Sequence, residues 1–252
     1  MSTIVFSHAN SFPAATYKVL FKSLRARGYS VKAVDKYGHD PRYPVSNNWP
    51  NVVQQLVDFA TPIVEKAGEP VWLVGHSLGG FLSVMAAARQ PGLAKGVVLI
   101  DSPLVGGWRS RMVGLAKTTQ LVGSISPGAV SRKRRNSWPD TDAALAHFQH
   151  KKAFARWDPQ VLLDYVHDFP EDNEGKRVLA FDRDVETAFY NTLPDNLDRL
   201  LFGRTWFPGL SASELGSLAN NIQGTIGGSM FVDPVTPTPR PDAILDMICV
   251  KD

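Results

Sequence analysis

The 252-residue chain holds one cysteine, Cys249. A lone thiol excludes a disulfide framework within the chain and any metal site built on cysteine clusters. No metal and no other cofactor is expected. No apolar run approaches the ~20 residues needed to span a bilayer, so no membrane contact is expected. Met1-Ser2-Thr3-Ile4-Val5-Phe6 has neither the basic stretch nor the apolar segment of a secretion signal. With so little cysteine, this points to the cytoplasm. Charge of one sign is also scarce. Lys and Arg number 27 against 24 Asp and Glu, a formal net charge of +3, which does not call for nucleic acid. There is no internal repeat and no low-complexity tract. The six histidines are His8, His39, His76, His147, His150 and His167, and none follows position 167.

What is present is an ordinary globular composition, 44% hydrophobic and 20% charged. Residues 3–6 form a short apolar run, broken by Ser7-His8-Ala9-Asn10-Ser11-Phe12-Pro13. Residues 14–27 place Tyr17, Leu20, Phe21 and Leu24 at helical spacing and stop at Gly28. Strand signals at 29–34, 71–74 and 96–100 alternate with helix signals at 52–67 and 81–89. Buried strands alternating with helices predict an α/β fold, with a doubly wound, mostly parallel sheet covered on both faces. From 103 to 195 helical patterns take over, at 143–155 and 159–167. This predicts a helical cap inserted between core segments 1–102 and 196–252. Strands at 200–203 and 225–232 and a closing helix at 241–250 complete the expectation.

The strongest chemical signal is Val71-Trp72-Leu73-Val74-Gly75-His76-Ser77-Leu78-Gly79-Gly80. It fits Gly-x-Ser-x-Gly between a strand and a helix. A sharp turn there lifts the serine hydroxyl above the sheet. Backbone then passes close to backbone, so positions 75 and 79 must be small, and Gly80 lets the helix pack closely. The helix N-terminus adds positive potential where an oxyanion would form. The loop Ser7-His8-Ala9-Asn10 can lend a second backbone N–H, beside that of Leu78. Position favours Asn10 as donor, with Ala9 next. His8 reads as a loop histidine bonded to local backbone rather than as a base.

These two motifs and the strand–helix order resemble the α/β-hydrolase superfamily over about residues 1–195. The stretch 6–17 resembles the opening of a group of bacterial members. So do the run 153–159 and Asp101-Ser102-Pro103 at the end of the strand after the serine helix. The resemblance implies an α/β-hydrolase fold with a cap, and a serine hydrolase acting on an ester or related acyl bond of a small-molecule substrate. It implies attack by Ser77, an oxyanion hole of Asn10 and Leu78, and an acid at Asp101, with Glu214 as the alternative. It also implies a histidine in a Gly-Gly-(Ser or Thr)-His-x-Phe-Pro turn. Residues 227–234 read Gly-Gly-Ser-Met-Phe-Val-Asp-Pro, without it. Two readings stand: a hydrolase whose base is not placed, or a catalytically impaired hydrolase-fold binding protein. A shifted reading frame across 204–240 would also remove the histidine, which sequencing the coding region checks. Dehalogenase chemistry is disfavoured, since it wants a carboxylate where Ser77 stands.

The remaining features have blander readings. His147 and His150 share a helix face, but no further ligands accompany them, so they read as solvated. His167 closes a helix, where a cation is favourable. Arg132-Lys133-Arg134-Arg135 reads as a solvated loop, or as a rim attracting an anionic substrate. Trp108, Trp138 and Trp157 read as core anchors, or as walls of an apolar acyl pocket. Oligomeric state has no sequence signal.

Overall fold

The computed structural model describes residues 1–102, 127–197 and 230–232. The first part alternates β1 (Thr3–Ser7), a 3-10 turn (Ala14–Tyr17), α1 (Lys18–Ala26), β2 (Ser30–Ala33), α2 (Pro50–Ala67), β3 (Val71–His76), α3 (Leu78–Arg89) and β4 (Ala94–Ile100). Then come α4 (Pro127–Lys133), β5 (Ser137–Trp138), α5 (Thr141–Gln149), α6 (Pro159–His167), β6 (Arg177–Val178), α7 (Arg183–Asn191) and β7 (Met230–Val232).

The main sheet has the order β2-β1-β3-β4-β7. The β1–β2, β1–β3 and β3–β4 pairs are parallel, and β7 runs antiparallel to β4 with Met230 opposite Leu99. The sheet is therefore mostly parallel, and β7 falls within the expected strand 225–232. Its direction carries no signature in residue alternation, which is the same for either pairing.

Alternation along β1 divides the core. Val5 packs with Leu73, Val97 and Leu99 against α2 and α3, joined by Phe181, Phe189 and Leu197. Ile4 and Phe6 face the other way, with Val74 and Val98, onto Phe21 and Leu24 of α1. The sheet is covered on both faces, as continuous apolar strands require.

Within 127–197 each later helix begins on an aspartate. Asp140 accepts from Ala143 N, Asp158 from Gln160 N, and Asp182 from Asp184 N and Val185 N. Such N-caps satisfy backbone donors that the helix cannot. β5 and β6 form a two-stranded antiparallel ribbon. Trp138, Phe148, Leu162, Tyr165 and Phe169 make a third, aromatic core. Trp138 is thus a core anchor. The strand expected at 200–203, the helix at 241–250, Trp108, Glu214 and Cys249 lie outside the described residues. No helix among the described residues is long and apolar enough to cross a membrane.

Candidate active site

The turn after β3 shows why its glycines are glycines. A Cβ on Gly75 would lie 2.1 Å from Gly79 O, and one on Gly79 would lie 1.9 Å from Ser7 O. A Cβ on Gly80 would meet Ser102 Oγ at 2.0 Å. β1, β3 and α3 can approach this closely only without those carbons. Between them Ser77 adopts φ 50°, ψ −112°, a conformation that costs a non-glycine residue on the order of 1–3 kcal/mol.

The surroundings hold that strain. Ser77 N donates to Ile100 O at 2.9 Å, and Gly80 N donates back to Ser77 O at 3.0 Å. Ser102, buried behind the turn, directs its hydroxyl at Ser77 O (3.0 Å) and Ile100 O (3.1 Å). Ser102 belongs to the Asp-Ser-Pro stretch, but its support of the turn is a tertiary contact that no spacing announces. The Ser77 side chain is half-buried, and its Oγ has no hydrogen-bond partner among the described residues.

Leu78 and Gly79 open α3, so their N–H groups have no acceptor within the helix. Across from them, Ala9 N donates to the Tyr17 hydroxyl at 3.0 Å. The next N–H, of Asn10, meets no acceptor among the described residues. The Asn10 side chain is buried and donates through Nδ2 to Glu186 O at 3.2 Å. The loop is thereby tied to α7.

His8, His39 and His76 are hydrogen-bonded to groups other than Ser77, and His150 and His167 are exposed. His8 Nε2 accepts from Tyr37 N (2.9 Å), so Nδ1 carries the proton, 2.8 Å from Ala9 O. Burial pushes its pKa down to about 4. His39 has the same arrangement, accepting from Asp182 N at 3.0 Å and donating to Tyr37 O at 3.0 Å. His76 Nδ1 lies 2.8 Å from the Tyr17 hydroxyl. Burial holds His76 below the ordinary histidine range, with the charge of Asp101 opposing it. His147 packs against Trp138, at 5.3 Å between ring centroids. Asp101 is exposed, one residue past β4, with φ 43°.

Arg132, Lys133 and Arg135 of the basic run are exposed, as its solvated reading expects, but Arg134 departs from it. Arg134 forms an ion pair with the buried Glu186 at 2.8 Å, and Arg135 donates to Ser137 O beside the Trp138 ring. A charge run gives no hint of a buried acidic partner fifty residues on.

Aromatic side chains stand beside the Asn10 loop. Phe12 lies 5.2 Å from Trp157 and 5.5 Å from Tyr165 between ring centroids, and 6.4 Å from Phe154. Phe12 therefore docks the loop into the third core.

Comparison with known proteins agrees with this fold. Residues 4–241 match the model of the Alpha/beta hydrolase family. A human monoglyceride lipase is 35% identical over 106 residues, covering 40% of this chain and 35% of the lipase. A monoglyceride lipase homologue of Monkeypox virus is 25% identical over 169 residues, covering 60% of this chain and 59% of its own length. The chain therefore matches little more than half of one relative and about a third of the other. Among solved structures, an E-2-(acetamidomethylene)succinate hydrolase superposes with a TM-score of 0.54 at 19% identity, covering 89% of this chain and 81% of that one.

Proposed function

This chain belongs to the alpha/beta hydrolase family, and from that premise we propose that it hydrolyses an ester or related acyl bond of a small molecule, with Ser77 as nucleophile. The observation that carries the reading is the strained Ser77 turn, whose hydroxyl, like the N–H groups of Leu78 and Asn10, has no hydrogen-bond partner among the described residues. Ser77 Oγ attacks the acyl carbon. The N–H groups of Leu78 and Asn10, aided by the α3 N-terminus, receive the charge that develops on the carbonyl oxygen. Asp101 is the acid we place beside the site, on its position directly after β4. The reaction needs no cofactor. We read 103–195 as a cap, on the bond from Asn10 to Glu186 and the docking of Phe12. The relatives named for monoglycerides favour an acyl ester, and Phe12, Phe154 and Trp157 offer apolar surface for its chain.

The serine proton still needs an acceptor. None of the described side chains is hydrogen-bonded to Ser77 Oγ, which favours slow turnover and keeps a binding protein as the second reading. Oxyanion donors and binding alone leave roughly 10³–10⁴-fold acceleration over water. Steady-state hydrolysis of an activated aryl acyl ester tests this with wild type, Ser77→Ala and Met230→His. Met230 begins β7, paired with Leu99 near the end of β4. The expected order is slow wild type, a Ser77→Ala variant at background, and a faster Met230→His. Wild-type turnover near ~10 s⁻¹, typical of enzymes, that vanishes in Ser77→Ala would show that a base exists after all. No change in Ser77→Ala would leave the binding reading.

A further inference from the structure

Past the paired residues Ser7 and Gly75, the last in the β1–β3 register, the two strands part. One becomes the Asn10 loop and the other the Ser77 turn. The gap between them is spanned by a phenol. The Tyr17 hydroxyl accepts from Ala9 N at 3.0 Å and lies 2.8 Å from His76 Nδ1. Ala9 precedes Asn10, and His76 precedes Ser77. The ring is wedged on Phe6, 4.6 Å between centroids, and meets His76 edge-on. We propose that Tyr17 is a positioning residue that fixes the separation of the Asn10 and Leu78 N–H groups, by tying the residue before Asn10 to the residue before Ser77.

Proton counting sets the direction of the link. A phenol has one proton, and here its oxygen already accepts from Ala9 N. Among the described residues His76 Nδ1 is the one acceptor within reach of that proton, so the phenol donates to it, and His76 is then the neutral Nε2–H tautomer. Burial favours the same states, raising the Tyr17 phenol far above its ordinary range and lowering His76. The bond to Tyr17 also withdraws Ala9 N from any oxyanion role and leaves that role to Asn10.

This inference rests on the serine-hydrolase reading, and the experiment separates the two. Tyr17→Phe keeps the ring and removes the bridge. The readouts are the ¹⁵N signals of His76, hydrogen exchange of the Ala9 amide, and kcat and KM on an activated aryl ester. Expected are loss of the Nδ1 hydrogen-bond signature, faster Ala9 exchange, and about tenfold lower kcat, the worth of one ordinary hydrogen bond, with KM little changed. Phe21→Leu, which thins the packing under the ring but spares the hydroxyl, should keep the wild-type His76 signals and kcat. Unaltered His76 and Ala9 signals in Tyr17→Phe would overturn the bridge. Altered signals with wild-type kcat would overturn the positioning role. Failure of the hydrolase reading shows separately, as wild-type turnover that Ser77→Ala does not reduce. The positioning role then falls with it, and the spectra decide the bridge alone.

Discussion

His8 is held neutral by two backbone partners, and this makes it a pH-sensitive element of the fold. Burial is the main cause of its lowered pKa of about 4, with the Ala9 carbonyl opposing and His39 and His76 adding to the depression. The unfolded chain takes up the proton near the ordinary value of 6.5, so it binds protons more readily than the folded one. The stability tied to His8 is complete above that pH and is lost as pH falls toward 4, about 3 kcal/mol in all for a shift of this size. Urea unfolding between pH 7.5 and 4.5 should show wild type losing stability more steeply than His8→Gln. His39, His76 and His147 are also depressed, but they titrate in both proteins, so the difference isolates His8. Parallel curves would remove His8 from this role. A loop position already assigns His8 to local backbone bonding. Its second bond, to the N–H of Tyr37 twenty-nine residues on, is long-range and leaves no mark in the sequence.

The contact of α3 with β1 and β3 is set by missing side chains. Gly79→Ala would put a methyl group against Ser7 O, which is backbone and cannot swing aside. Either α3 lifts or the turn distorts, at about 1–3 kcal/mol or more. Thermal unfolding should show the loss, and labelling of Ser77 by a fluorophosphonate should slow with it. Wild-type stability in Gly79→Ala would mean that the close approach is relaxed in solution. This element was readable because Gly75, Ser77 and Gly79 are local in sequence. The strand–helix alternation was readable for a similar reason, since β1, β3 and β4 are apolar on both faces and α1 carries Phe21 and Leu24 on one. The helix expected over 14–27 opens instead as a 3-10 turn at Ala14–Tyr17, a difference of one turn. The ribbon of β5 and β6 was not readable, because strands of two residues are too short to display a period. The polar ties of the candidate site were hidden for a different reason. Tyr17 to His76, Ser102 to Ser77 and Asn10 to Glu186 each join residues far apart in the chain, and hydrogen bonding has no periodicity.

At the scale of the whole molecule, the end of α4 is joined to α7, and α7 to the candidate site, around a buried charge. Arg134, just beyond α4, meets Glu186 of α7 at 2.8 Å, with side chains only 20% and 5% exposed. The contact is an ion pair rather than an aligned hydrogen bond, since Arg134 Nη2 and Glu186 Oε2 have no aligned partner among the described residues. Arg183 Nη1 donates to Arg134 O, and Asn10 Nδ2 donates to the backbone oxygen of Glu186. The two charges leave water at a large cost, which their attraction offsets only while both are present. Glu186→Ala should therefore destabilise by about 3–5 kcal/mol, because it strands a guanidinium in a poorly solvated place. Replacing both charges, as Arg134→Met with Glu186→Leu, should cost far less, since the apolar pair fills the space without a desolvation penalty. The Asn10 bond runs to the main chain of residue 186, which every variant keeps, so the double variant should label at Ser77 at the wild-type rate, while Glu186→Ala labels more slowly only because its unpaired guanidinium displaces α7. Urea midpoints for the single and double variants, read beside the labelling rates, test both statements. A double variant as unstable as Glu186→Ala would show that the pair is a net attraction rather than a mutual compensation. Equal labelling in all three proteins would show that α7 does not hold the Asn10 loop in place.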